Sequence, residues 1–200
     1  MAKLLDLFCG AGGAAMGYNR AGFDEIVGVD IKPQPHYPFE FHQADAMTYS
    51  REGFDLIHAS PPCQAYSTMN NRFRKPHPRL VEPLQTMLRR SGRIYVIENV
   101  MGSPVRRDLC LCGFTFGLGT HRHRAFESNA FLFGYQFSCR GWRDHAGVYG
   151  NHPDGGRLWS RKDGHSPLLR VGSLEEAQTR MGMYWGDWEG VKEAIPPAYT

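Results

Sequence analysis

A glycine cluster set between an apolar run and a helical stretch constrains this chain more than any other feature. Leu4 to Phe8 is a short strand candidate that ends at Gly10-Ala11-Gly12-Gly13. Gly13 to Ala21 then reads as a helix, with Gly22 placed to cap its end. A strand turning on glycines into a helix is the opening unit of a parallel α/β sheet. The rest of the first hundred residues keeps the alternation. Ile26 to Val29 makes a second strand candidate, ended by Asp30 and a loop with Pro33, Pro35 and Pro38. Asp55 to Ala59 is expected as a buried strand running into Pro61-Pro62. Arg79 to Arg90 has helical spacing at Leu80, Leu84, Met87 and Leu88 despite Pro83 near its start. Arg93 to Ile97 is a further strand, finishing at Glu98-Asn99.

The second half is less regular. Asp108 to Arg124 reads as a loop, Ala125 to Phe133 as a strand or two, and Leu174 to Met183 as a helix. Ser138 to Ser173 shows no periodicity, and the irregular stretch is too short for a core of its own, so residues 1–200 are expected to form a single domain. At 200 residues and 42% hydrophobic content, one sizeable core is within reach. No apolar run approaches the ~18 residues of a membrane span, and no signal peptide opens the chain. A soluble, cytoplasmic protein is the expectation. Five scattered cysteines suit a reducing compartment rather than a disulfide framework. The net charge of +3 does not by itself demand a nucleic-acid partner. Its distribution is more telling, since Arg72, Arg74, Lys75 and Arg79 crowd together where they can meet phosphates or simply face water.

Several constellations sit at strand ends, where ligands bind in a doubly wound sheet. Gly10, Gly12 and Ala15 fit the G-x-G-x-x-G/A spacing that lets a nucleotide-bearing cofactor approach the backbone. Asp30, twenty residues beyond Gly10, is placed to accept ribose hydroxyls, and Asp45 to accept from an adenine amino group. Asp30 as a loop cap and Asp45 as a surface turn are the plainer alternatives. Ser60-Pro61-Pro62-Cys63-Gln64-Ala65-Tyr66-Ser67 follows a strand directly, and two prolines fix the backbone that presents Cys63. A buried inert thiol is the usual fate of a cysteine, but a polar, proline-fixed loop is a poor place for one. Glu98-Asn99-Val100 closes the neighbouring strand. In Thr120-His121-Arg122-His123-Arg124 an extended backbone projects Arg122 and Arg124 to one side. Cys110-x-Cys112 with His121-x-His123 has the residue types of a metal site but not the usual zinc-finger spacing, so no metal is expected. The aromatic tail, Tyr184, Trp185 and Trp188, is read as packing.

In order and spacing, residues 4 to 124 resemble the DNA (cytosine-5) methyltransferase family. DLFCGAGG is similar to that family's first cofactor motif, SPPCQAYS to its nucleophile motif, IENV to its glutamate motif and HRHR to its paired arginines. The resemblance implies a Rossmann-like class I fold with a mostly parallel sheet and helices on both faces. It implies S-adenosylmethionine as cofactor, held by Phe8, Gly10, Gly12, Asp30, Asp45 and Pro62. It also implies duplex DNA with a flipped cytosine as partner. Cys63 would be the nucleophile toward carbon 6, Glu98 the proton donor at ring nitrogen 3, Arg124 the holder of the base carbonyl and Arg122 the support of Glu98 or the loop. Gln64, Ser67, Arg72, Arg74, Lys75 and Arg79 would contact DNA from the loop that closes over the base.

Two departures from the family pattern stand out. Only about fifty residues, within 125–173, are left for target recognition, with Arg140, Arg143, His145, Arg157, Arg161 and Lys162 as groove contacts. Glu193 takes the place of an asparagine in the last motif, EAIPPAY, and the helix expected after it is missing because the chain stops at Thr200. Compact phage-borne members have similar short layouts, which suggests a phage or prophage setting and a restriction-modification context. Rival readings are a catalytically incomplete DNA-binding or split-enzyme subunit, and a tRNA cytosine-5 methyltransferase. A dinucleotide oxidoreductase would leave the PCQ, ENV and HRHR runs unexplained.

Overall fold

Apolar runs without alternation, such as Leu4-Leu5 and Ile26-Val27, belong in strands buried on both faces, and the computed structural model places them so. It describes residues 2–67, 76–134, 146–150 and 169–200. Strands β1 (Lys3–Leu7), β2 (Glu25–Asp30), β3 (Glu40–Gln43), β4 (Leu56–Ala59) and β5 (Ile94–Asn99) are parallel. They are joined by β7 (Arg124–Ser128), antiparallel to β5, and by β6 (Leu109–Leu111) at the edge. The order across the seven-stranded sheet is β3-β2-β1-β4-β5-β7-β6. The chain runs outward from β1 to β3, then returns to build β4 and β5 on the other side. That reversal opens a crevice beyond the carboxyl ends of β1 and β4.

Helices cover both faces. On one, α2 (Val81–Ser91) buries Val81, Leu84 and Leu88 against Leu5, Leu7, Ile57 and Ile97. On the other, α1 (Gly13–Arg20) lays Ala14, Ala15 and Tyr18 over Leu4, Ile26 and Val96, together with Ile195 and Tyr199 from the chain end. Gly13 and Gly17 make that contact close: a methyl on either would overlap the backbone oxygen of Ile195 or Pro197. A further cluster gathers α3 (Leu174–Met181), α4 (Trp188–Glu193), Ala146 of β8 (Ala146–Gly147) and Val171, which follows β9 (Leu169–Arg170), the parallel partner of β8. It reaches the glycine turn through Ala11, and Trp185 Nε1 donates to the Ala11 carbonyl at 2.7 Å.

The structure departs from the sequence reading in places. The stretch 108–124 contains β6, because pairing with β7 satisfies three residues that lack any local pattern. The irregular stretch contributes β8 and β9, each only two residues long. Helix α4 has no counterpart in the sequence reading; its six residues start at Trp188, after Asp187, whose side chain caps the helix by accepting from Gly190 N at 2.9 Å. Trp185 and Trp188 pack as expected, but Tyr184 is largely exposed. Among the described residues no helix is long and apolar enough to cross a membrane.

Candidate active site

The glycine turn leaves β1 under strain. Phe8 is the single non-glycine among the described residues with positive φ, at 57°, a conformation costing about 1–3 kcal/mol that surrounding contacts must offset. Gly10 follows at φ 49°, and a side chain there would meet nothing within 4 Å, so open space lies beside its backbone. Gly12 is different: at φ 81° a methyl would press on Pro38 and Tyr37. Asp30, half-buried at the end of β2, accepts from Gly10 N at 3.2 Å and Lys32 N at 2.9 Å. These two amides aim its carboxylate at the glycine turn. Asp45 does not share that setting. It is exposed, and its side chain accepts from Met47 N at 2.9 Å to close a turn.

Cys63 caps a 3-10 turn over Gln64–Tyr66 and is half-buried. Pro61, ahead of it, is fixed by Asn99 Nδ2, which donates to the Pro61 carbonyl at 2.8 Å. The β4–β5 loops are thereby stapled together beside the half-buried Pro62. Burial pushes the thiol pKa up; Arg124 and Arg122 pull it back down, while Glu98 opposes them. Both arginines and the glutamate therefore act on this sulfur.

Glu98 is buried in β5, and in the β5–β7 register it lies opposite Phe126, one pair removed from Asn99–Ala125. Arg124, at the start of β7, sits at the same edge, its Nε 2.8 Å from Glu98 Oε1. The contact is an ion pair, and Oε1 has no hydrogen-bond partner among the described residues. Burial raises the Glu98 pKa, and the counter-pull of Arg124, of the Ser60 hydroxyl and of Arg122 is not enough to reverse it. A carboxyl so placed holds a proton more readily than one in water, as a proton donor must.

Arg122 differs from the sequence reading. Its guanidinium donates to the carbonyls of Val148 (3.1 Å), Lys192 (2.8 Å) and Ala194 (2.6 Å), rather than to Glu98. Its own carbonyl accepts from Tyr199 OH at 2.6 Å. Burial, with Arg124 nearby, lowers its pKa to about 9, and its Nε is without a partner among the described residues. Arg124 thus makes the contact with Glu98, while Arg122 ties the site to the chain's last helix.

The sequence reading overlooked a buried polar chain behind Glu98. Tyr18 OH lies 3.2 Å from His58 Nδ1, and His58 Nε2 lies 2.9 Å from Ser60 Oγ. Ser60 in turn stands next to Glu98 and pulls its pKa down. Burial drives the His58 pKa down to about 3, so the ring is neutral. The signal was the pairing of His58 with Val96, which brings Ser60 level with Glu98 two residues on.

Of the loop residues assigned to DNA, Gln64 is exposed, Ser67 half-exposed, and the Arg79 guanidinium lies 5.1 Å from the Tyr66 ring centre. Arg72, Arg74 and Lys75 lie outside the described residues, as do Arg140, Arg143, His145, Arg157, Arg161 and Lys162. Glu193 is exposed at the last position of α4. Two shallow grooves, around Arg51 with Met87 and Arg90 and around Arg51 with Glu52 and Arg93, lie beside the end of α2 and the start of β5. They are remote from Cys63 along the strands and share none of its chemistry.

A parallel sheet with this strand order, a glycine turn after β1 and an acid after β2 defines a Rossmann-like methyltransferase fold. Fold similarity bears this out: the S. pombe Dnmt2 methyltransferase superposes with a TM-score of 0.61 at 16% identity, covering 99% of this chain and 95% of that one. The Entamoeba histolytica methyltransferase EhMeth gives 0.63 at 12% identity, with 100% and 95% covered. The family model for C-5 cytosine-specific DNA methylase matches residues 2–103, and the chain belongs to that family. Among named relatives, the Type II methyltransferase M1.HphI of Haemophilus parahaemolyticus is 36% identical over 81 residues, 32% of this chain and 21% of that protein. M.AquIA of Picosynechococcus sp. is 27% identical over 121 residues, 50% of this chain and 49% of that protein. M.HgiGI of Herpetosiphon aurantiacus is 34% identical over 86 residues, 35% of this chain and 66% of that protein. The match therefore spans about half or less of the first two relatives.

Proposed function

We propose that this chain methylates carbon 5 of cytosine in DNA, with S-adenosylmethionine as methyl donor. The observation that carries the reading is the Glu98–Arg124 ion pair at the sheet edge where Cys63 stands, with both charges acting on its thiol. The glycine turn fits the cofactor. Open space lies beside Gly10, and Asp30 faces it from the next strand end, placed for ribose hydroxyls. Phe8, Gly12 and Pro62 complete that wall. Bound there, S-adenosylmethionine supplies an electrophilic methyl group on its sulfonium.

Carbon 5 of cytosine is a weak nucleophile until the ring is activated. The Cys63 thiolate adds to carbon 6, and the ring electrons move toward nitrogen 3, where Glu98 provides a proton. Carbon 5 then takes the methyl group, loses its own proton to a base, and expels Cys63 to restore the aromatic ring. Arg124 keeps Glu98 in place, and its remaining N–H groups reach for the base carbonyl. In a duplex the target carbon is hidden, so the base is flipped out at a cost of a few kcal/mol. Gln64, Ser67, Arg79 and the basic run 72–75 are then the phosphate and sugar contacts of the loop over it. A short reader within 125–173 and a restriction-modification role in a bacterial or phage-infected cell complete the proposal.

Tritiated-methyl incorporation from S-adenosylmethionine tests it, with duplex DNA of mixed sequence and total tRNA side by side. Label at cytosine carbon 5 of DNA is the expected result. Label in tRNA alone would refute the choice of substrate, and label in neither would refute the enzyme reading.

A further inference from the structure

The HRHR run has two faces. An extended backbone sends alternate side chains to opposite sides, and with Arg124 directed to Glu98, His121 and His123 are left on the reverse face. The β6–β7 register pairs Cys110 with Ala125 and Leu111 with Arg124; one step further it sets Cys112 opposite His123. The chain between, Gly113 to Thr120, doubles back on itself. Gly113 packs so closely on the Thr120 carbonyl that a methyl there would overlap it, and Leu118 N donates to the Gly113 carbonyl at 3.0 Å. This turn brings Cys112 beside His121 as well, and the ligand atoms of Cys112, His121 and His123 all lie within 4.8 Å of one another. The two imidazole centres are 4.6 Å apart.

We propose that Cys112, His121 and His123 form a zinc-type metal site that clips the turn carrying Arg122 and Arg124. One thiolate and two imidazoles are ligands of choice for zinc and other borderline divalent ions. A tetrahedral zinc, with bonds of about 2.3 Å to sulfur and 2.0–2.1 Å to nitrogen, holds its donors roughly 3.3–3.6 Å apart. The donors need to draw together by at most about 1.5 Å, a shift within the reach of side-chain rotation. Cys112 is buried and free, whereas His121 is exposed, so the metal would enter from the His121 side with water as fourth ligand. The C-x-C and H-x-H runs lack common zinc-finger spacing, yet the fold brings one cysteine to both histidines. Cys110 instead packs against the core beside Ala125, and the ligand set is a single cysteine with the H-x-H pair. Binding would exchange the thiol proton, released to solvent, for the metal and close the eight-residue loop between Cys112 and His121. The arginines on the opposite face are held in register as a consequence, so the metal would play a positioning part and leave the chemistry to Cys63.

Cobalt(II) titration of the full chain tests this, read by the thiolate-to-cobalt charge-transfer band and the intensity of the tetrahedral d–d bands. Wild type is expected to take up one equivalent with both signatures, and zinc chloride to displace it. Cys112→Ala should lose the charge-transfer band, while Cys110→Ser and Cys63→Ser keep it. His121→Ala changes an exposed side chain and so should not disturb folding; it and His123→Ala should each weaken cobalt binding about tenfold or more. Zinc should also raise the unfolding temperature of wild type and not that of His121→Ala. Absence of the charge-transfer band in wild type would overturn the proposal, as would unchanged cobalt affinity in both histidine variants.

Discussion

Removing the Arg122 side chain should loosen the whole junction between the active-site strand and the chain's last helix. Its guanidinium donates to three carbonyls at 2.6–3.1 Å, two of them, Lys192 and Ala194, at the end of α4. A hydrogen bond from a charged donor contributes about 1.5–3 kcal/mol net. Three together would give about 5–9 kcal/mol if they were independent, which is a ceiling because they share one side chain. Water entering the vacated space can serve the carbonyls again, so Arg122→Ala should cost about 3–5 kcal/mol. Arg122→Lys keeps the charge but loses the fork, reaching one or two carbonyls, and should cost about half as much. The damage should also spread to the cofactor site, since Ile195, next to Ala194, leans on Gly13 at the start of α1. Urea unfolding of the three proteins gives the stability, and titration calorimetry gives the affinity for S-adenosylmethionine. An Arg122→Ala variant within about 1 kcal/mol of wild type, with unchanged affinity, would refute the anchoring argument.

Other perturbations read different parts of the site. The Ser60 hydroxyl favours the ionised form of Glu98 and lowers its pKa, so Ser60→Ala should raise it; the alkaline limb of the kcat profile should then move to higher pH, which pH-rate measurements check. Gly13→Ala places a methyl against the Ile195 carbonyl and should destabilise by about 1–3 kcal/mol, seen as a lower urea midpoint. Asp6 is buried, its pKa raised by that burial from 3.8 to about 7. Its contribution to stability is full below about pH 4 and is lost as pH climbs through about 7, a change of about 4 kcal/mol at most. Asp6→Asn should remove that slope between about pH 4 and 7 in urea unfolding; a slope equal to wild type would assign it to other groups. His58, with its pKa lowered to about 3, works in the opposite direction. Its contribution is present above about pH 6.5 and is lost as pH falls toward 3, so His58→Gln should flatten the acid side of the same curve.

How much of this was legible depended on whether the signal was local. The parallel strands announce themselves as short apolar runs ended by Gly, Asp or Pro, and their carboxyl ends carry Gly10, Asp30 and Cys63 in the positions the alternation predicts. Strand β6 gives no such sign, since Leu109-Cys110-Leu111 becomes a strand only by pairing with β7. Helix α4 is too short for a periodicity to show, and it rests on the Asp187 cap and the burial of Trp188 and Val191. The division of labour between the arginines was equally hidden. Alternation puts both on one side, but the partners come from residues some 70 positions away, Lys192 and Ala194, which no spacing within HRHR foretells. The same holds for His58 and Ser60, whose link to Glu98 runs across the β4–β5 register. Cys112 meets His121 and His123 through the tight turn at Gly113, which the common metal-site spacings do not include.

The central claim is that the Cys63 sulfur attacks the base. Duplex DNA carrying 5-fluorocytosine tests it most directly, because release of the enzyme requires loss of a proton from carbon 5 and fluorine cannot leave in its place. With S-adenosylmethionine present, wild type should form a covalent protein–DNA complex that survives denaturation, and Cys63→Ser should form none. An adduct of equal yield with Cys63→Ser, or methylated cytosine made with no adduct on the fluorinated duplex, would contradict the account.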